Sequence, residues 1–185
     1  MRTRRAAREA LKNAGAASLL LLLGCGPVLQ TARRLAENGQ IQDDAPVKAE
    51  LQSVVKAPIE TVWNVFSDVE AWPTWNPDAQ GTHFEGPFVA GTAFSYGTRT
   101  QHHLTLAEVV PPNRVSFYGT YLGYIGITVW EFLALSPGET RVRVRESSDG
   151  LMISIFYGSR QLEEHLQGWL TRLKVEAERP TATPQ

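Results

Sequence analysis

One stretch, from Val54 to Asp78, constrains this chain more than any other: V-V-K-A-P-I-E-T-V-W-N-V-F-S-D-V-E-A-W-P-T-W-N-P-D. It starts as the end of a strand, which Ala57-Pro58 stops. Pro58 suits the first turn of a helix, where its missing N–H costs nothing. Ile59, Val62, Trp63 and Phe66 follow at i, i+3, i+4 and i+7, one apolar stripe on a short helix. Asp68 can cap a second short helix, which Pro73 is expected to end. Trp72 and Trp75 are left on a tight corner, and two indoles so close together need a large apolar surface to lie against.

Short alternating segments downstream can supply that surface. They run Thr82–Glu85, Thr92–Thr98, His102–Val110, Arg114–Leu122, Tyr124–Leu135 and Thr140–Ser147, separated by Gly-Pro, Gly-Thr, Pro-Pro-Asn and Pro-Gly. With Val47–Lys56 they predict seven strands. A long amphipathic helix closes the chain, beginning near Gly150 or Ser159 and reaching Glu178. Its apolar positions are Leu162, Leu166, Trp169, Leu170, Leu173 and Ala177. Pro180 ends it, and residues 180–185 read as a tail. The folded domain is expected over residues 47–179, large enough to bury a core without metals or disulfides.

A strand, then A-P-x-E-x-V-W, then D-x-x-x-W-x-x-W-N-P, resembles the opening of the START-like (SRPBCC) superfamily, and within it the polyketide cyclase/dehydrase-type branch. The resemblance implies an α+β helix-grip fold: a curved seven-stranded antiparallel sheet around a long C-terminal helix, with two short helices after the first strand. It also implies an apolar cavity between sheet and helix. The motif marks the fold well and the ligand poorly.

Alternation assigns faces to the strands. Arg141, Arg143 and Arg145 share one face and belong in water, so Val142, Val144 and Glu146 turn inward. Glu131 then faces out, where it can meet Arg143 or Arg145 across the ladder. Trp130 and Phe132 join the inner face. The same reasoning groups Phe94 with Tyr96, His102 with Leu104 and Leu106, and Phe117 with Tyr121. Together with Trp72, Trp75, Leu162, Leu166 and Trp169, these inward residues are the candidate ligand-binding set.

Glu146 and His102 are the candidates for general acid or base. A carboxylate on an apolar face has a raised pKa and can move a proton near neutrality. The alternative for Glu146 is a half-solvated, hydrogen-bonded strand end beside Ser147, Ser148 and Asp149. His102, Tyr96 and Tyr121 serve equally well as ordinary core residues.

Other chemistries find little support. His102 and His103 are adjacent on a strand and point to opposite faces, and His83 and His165 show no ligand spacing to them, so no metal is expected. No phosphate loop or nucleophile elbow is present, and no cofactor is expected. The formal net charge of −1 gives no basic excess for nucleic acid. Three functions remain open. The first is binding of a hydrophobic molecule, such as a lipid or polyketide, by an exported carrier or sensor. The second is a cyclase- or dehydratase-like enzyme, and the third an interaction module whose cavity its own side chains fill. Whether the chain is an enzyme, and which proteins it meets, the sequence leaves open.

The first residues carry an address. Arg2, Arg4, Arg5, Arg8 and Lys12 precede an apolar run from Ala14 to Gly24, too short to span a bilayer as a helix. The run ends Leu22-Leu23-Gly24-Cys25 and resembles a bacterial lipobox, although Leu23 stands where a small residue is usual. Residues 1–25 are thus expected to be a lipoprotein-type signal ending at Cys25, the only cysteine. Residues 26–46 are expected to be a linker. The mature protein would sit at the membrane of a bacterial cell envelope through its lipid, or otherwise be periplasmic or secreted.

Overall fold

The computed structural model describes residues 26–98, 101–150 and 153–180, without the side chains of residues 154 and 156. The chain divides into two units, residues 1–31 and 32–185. Of the first, the described residues 26–31 are helical. The second opens on helical residues 32–36 (α1).

After α1 come β1 (Val47–Val55), α2 (Ile59–Ser67), α3 (Trp72–Trp75), β2 (His83–Phe84), β3 (Ala93–Tyr96), β4 (His102–Val110), β5 (Arg114–Tyr121), β6 (Tyr124–Ser136), β7 (Glu139–Asp149), α4 (Ile153–Phe156) and α5 (Ser159–Ala177). The seven strands form one sheet in the order β1-β7-β6-β5-β4-β3-β2. Every neighbouring pair is antiparallel. This is the α+β helix-grip arrangement, with α5 held in the concave side of the sheet.

The corner after β1 forms for local reasons. Pro58 stands at the N-cap of α2, and Ile59, Val62, Trp63 and Phe66 are its buried face. Asp68 caps a single 3-10 turn, Val69–Ala71, by accepting from the Ala71 N–H at 3.3 Å. Pro73 does not end this segment, as expected, but lies in the first turn of α3. There an N–H would have no intrahelical carbonyl to donate to, so proline's missing donor costs nothing. The Trp72 indole N–H donates to the Phe66 carbonyl at 2.7 Å, tying the corner back to α2.

α5 buries Leu162, Leu166, Trp169, Leu170, Leu173 and Ala177. Its start is fixed by the Gly158 N–H donating to the Gln161 side chain at 3.1 Å. Its end is fixed by Glu178, which accepts from the Lys56 N–H at 2.6 Å and from the Lys174 ammonium at 2.7 Å. On the outer face of the sheet, Arg143 pairs with Glu50 at 2.7 Å and with Glu131 at 3.3 Å, the cross-ladder contact that alternation implied.

Residues 32–46 were expected to belong to a linker, yet much of this segment packs on the convex face. Ala32 and Ala36 are buried against Ile127 and Val129. Ser116 donates to the Ala36 carbonyl at 2.5 Å, and Arg145 donates to the Gly39 carbonyl at 2.9 Å. The Gln42 side chain donates to Asp149 at 3.0 Å. Ala32 and Ala36 are its buried contacts in this cluster, while Leu35 and Ile41 pack there only partly buried, so the segment has no sustained large-residue stripe by which to announce itself.

Candidate functional site

Two glycines explain where the concave face stays open. Gly119 of β5 and Gly126 of β6 are direct cross-strand partners. Gly119 lies two residues from Phe117 and Tyr121, and Gly126 two from Thr128, all inward-facing positions. Together these glycines leave a patch of bare backbone in the sheet. Above it lies a cavity of about 370 Å³. A tight hairpin frames one side: Leu122 and Gly123 turn β5 into β6 with φ of 47° and 81°, a two-residue geometry suited to strand twist. This turn sets Tyr121 directly opposite Tyr124 at the mouth.

Three rings on neighbouring strands make an aromatic column. Tyr96 stacks on His102 at 4.5 Å and His102 on Tyr121 at 3.9 Å, with interplanar angles of 15° and 10°. Both faces of the imidazole are therefore covered, and His102 can offer a ligand only its edge nitrogens. Burial lowers its pKa from 6.5 to about 4, so it is neutral at ordinary pH, one nitrogen donating and the other accepting.

Glu146, on β7, faces inward in the row of Val142 and Val144. Thr128 Oγ1 donates to one carboxylate oxygen at 2.9 Å. Desolvation pushes the carboxyl up from 4.5 to about 7, opposed by the Thr128 hydrogen bond. The group is half-buried, and it borders the cavity. Glu146 thus lies within β7, three residues short of its end at Asp149, half-buried and hydrogen-bonded. Tyr124, on β6, and Tyr157, between α4 and α5, complete that side, their hydroxyls held above the usual range by burial and then by the Glu146 charge.

At the opposite lip, Asp78 accepts from Arg172 at 2.5 Å, and its other neighbour, His165, lies 4.0 Å away. Arg172 also donates to Asn76 at 2.9 Å, clipping the corner to α5. Burial lowers the His165 pKa, outweighing the nearby Asp78.

The sequence-derived candidates fall into three groups. Tyr96, His102, Leu104, Phe117, Tyr121 and Glu146 are brought together around the cavity. Trp72, Trp130, Leu166 and Trp169 border a crevice of about 20 Å³, which shares Tyr96, Phe117 and Glu146 with the cavity. Trp75, Phe94, Leu106, Phe132, Val144 and Leu162 are buried in the core and border neither space. Under the helix, the hollow is therefore nearly filled by ring-on-ring packing, as where Trp169 meets Trp72 edge-on at 5.0 Å. The open volume lies nearer the mouth, among residues with polar tips.

Sequence reasoning passed over Tyr124, Thr128, Tyr157, His165, Asp78 and the two glycines. A glycine inside each of two adjoining strands was the available signal, since such positions often mark a close approach or bend. Cys25 lies outside the described residues. Among the described residues, no cluster of three or more His, Cys, Asp or Glu could hold a metal ion, and no helix is long and apolar enough to cross a membrane.

A curved antiparallel sheet gripping a C-terminal helix, with a cavity between them, defines a START-like protein. The family model described as polyketide cyclase / dehydrase and lipid transport matches residues 46–178, and the chain belongs to that family. No curated protein matches the chain. Among solved structures, a hypothetical protein of Helicobacter pylori is similar, with a TM-score of 0.65 and 14% identity over 75% of this chain and 92% of that one. A START superfamily protein of Mycobacterium smegmatis gives 0.60 and 15%, covering 71% and 97%. A Thalictrum flavum norcoclaurine synthase mutant, solved with a transition-state analogue, gives 0.56 and 10%, covering 70% and 92%. At such identities the likeness is one of fold.

Proposed function

We propose that the chain binds a small, mainly hydrophobic molecule that carries oxygen or nitrogen functions, holding it in the cavity between β5, β6, β7 and the start of α5. One observation carries this reading. The cavity gathers two carboxyls, four phenols and two imidazoles, and among the described residues neither the phenols nor the imidazoles hydrogen-bond to protein. Polar tips with no protein partner on a partly apolar wall are the usual profile of a small-molecule site. Apolar contact with Leu104, Phe117 and the ring edges would supply affinity at ~25 cal/mol per Å². Native mass spectrometry of protein purified from its own host should show a bound molecule. Naphthol added to the isotope-labelled protein should shift the amides of Gly119, Gly126 and Thr128. An empty protein whose amides naphthol leaves in place would overturn the reading.

A second reading, a cyclase- or dehydratase-like enzyme, is favoured by Glu146 itself. A carboxyl pushed up to about 7 can both give and take a proton near neutrality. His102, neutral and edge-on, could serve as its partner. Under this reading Glu146→Gln should lower turnover ~100-fold or more, whereas a carrier would lose only affinity.

The same proposal extends to the address. Removal of residues 1–24 at the lipobox-like sequence would leave Cys25 as a lipidated first residue, and the domain would work from a bacterial envelope membrane as an exported carrier or sensor. The cationic n-region, the short apolar run and the single cysteine support this, and an intact mass would test it directly.

A further inference from the structure

The cavity wall is uneven in charge. Among the described residues it contains two carboxylates, Asp78 and Glu146, and no lysine or arginine. Asp78 is already answered by the Arg172 guanidinium at 2.5 Å. Glu146 is not: its hydrogen-bond partner is the neutral Thr128, and among the described residues no ion pair involves it. Both imidazoles on the wall are held neutral by burial. A carboxylate without a cation, in a space walled by low-dielectric rings, leaves electrostatic attraction unused. Among the described residues of the wall, an anionic ligand would meet no lysine or arginine and would face Glu146 directly. A neutral ligand could at best hydrogen-bond to it, whereas a protonated amine would supply the missing partner.

We propose that the cavity selects by charge, taking a protonated amine carried on a flat, mostly apolar body and rejecting carboxylates and phosphates. The nitrogen sits at Glu146, between Thr128 and Tyr124, and the flat body lies over the bare backbone of Gly119 and Gly126. The edge of the Tyr96–His102–Tyr121 column bounds it. This inference rests on the binding reading above and narrows it to a class of ligand.

Three indoles of nearly equal shape test it: tryptamine, tryptophol and indoleacetate, each titrated into the full chain by calorimetry and by amide shifts. At about pH 8 the Glu146 carboxyl, with its pKa of about 7, is mainly ionised, and an alkyl amine is still protonated. A charge-assisted hydrogen bond should make tryptamine bind about tenfold tighter than tryptophol, with indoleacetate weakest of the three. Glu146→Gln should bring tryptamine down to the level of tryptophol. Should that variant fail to fold, the ranking on the unaltered protein decides alone. Equal or tighter binding of tryptophol or indoleacetate would overturn the charge selection and leave the binding site standing. So would a tryptamine advantage that survives a folded Glu146→Gln. If none of the three shifts any residue of the cavity, the site itself is wrong and this inference falls with it.

Discussion

At the scale of single residues, Glu146 and His102 pull stability in opposite directions with pH. The folded state raises the Glu146 pKa from 4.5 to about 7, so between those values it holds the proton more tightly than the unfolded chain. Stability is therefore lost as pH rises through that window, by about 3 kcal/mol at most. Glu146→Gln removes the charge, so its stability relative to the parent should climb from pH 5 to pH 8 in urea melts. A constant difference would mean that Glu146 is solvated. For His102 the folded pKa falls from 6.5 to about 4, so its contribution is lost as pH drops through that range. The two glycines also part company. A Cβ on Gly119 would lie 1.9 Å from the His103 carbonyl oxygen, so Gly119→Ala must pry β4 from β5. On Gly126 it would meet nothing nearer than 3.7 Å. Gly126→Val should keep the fold, since strands favour branched residues, yet block naphthol from shifting the cavity amides. Alternation along β7 made Glu146 legible as inward-facing. It could not reveal that neighbouring strands leave bare backbone beside it, because cavities follow from what side chains omit.

At the scale of elements, the sequence was most legible where large apolar residues repeat. The α5 stripe and the seven strands could be read from periodicity, and so could α2. The α1 segment could not, for its buried side chains are alanines. Its importance is testable: Ala36 is fully buried, 0% exposed, and Ala36→Asp would press a carboxylate against Ile127 and Val129. A loss of about 2–4 kcal/mol should follow in denaturant unfolding. A variant as stable as the parent would show that this segment is indeed only a linker. The corner between α2 and α3 was legible as a place for indoles, but not as a plug. Trp72 fills the space that the resemblance leaves open, held by its hydrogen bond to Phe66 and by edge contacts to Phe94 and Trp169. Leu166 borders the same small crevice. Leu166→Ala should cost about 2–5 kcal/mol and extend the cavity inward, so that a longer probe than naphthol gains affinity as the parent's naphthol binding is kept.

At the scale of the whole molecule, the proposed processing and the cavity point the same way electrostatically. Cleavage before Cys25 would remove five basic residues and one acidic one, taking Lys+Arg from 18 to 13 and Asp+Glu from 19 to 18. The mature chain would then repel anionic lipid surfaces and draw cationic solutes toward a cavity whose unanswered charge is Glu146. An acidic protein of this kind has no electrostatic means of staying at a membrane, so attachment would depend on the lipid at Cys25. One acyl chain gives only marginal, reversible binding, and stable anchoring takes more than one. Cys25→Ser should therefore move the protein from the membrane fraction to the soluble fraction at any ionic strength. If the variant stays with the membrane in high salt as well as low, some apolar surface of the folded domain must hold it there. The address would then be written in the fold rather than in the leader.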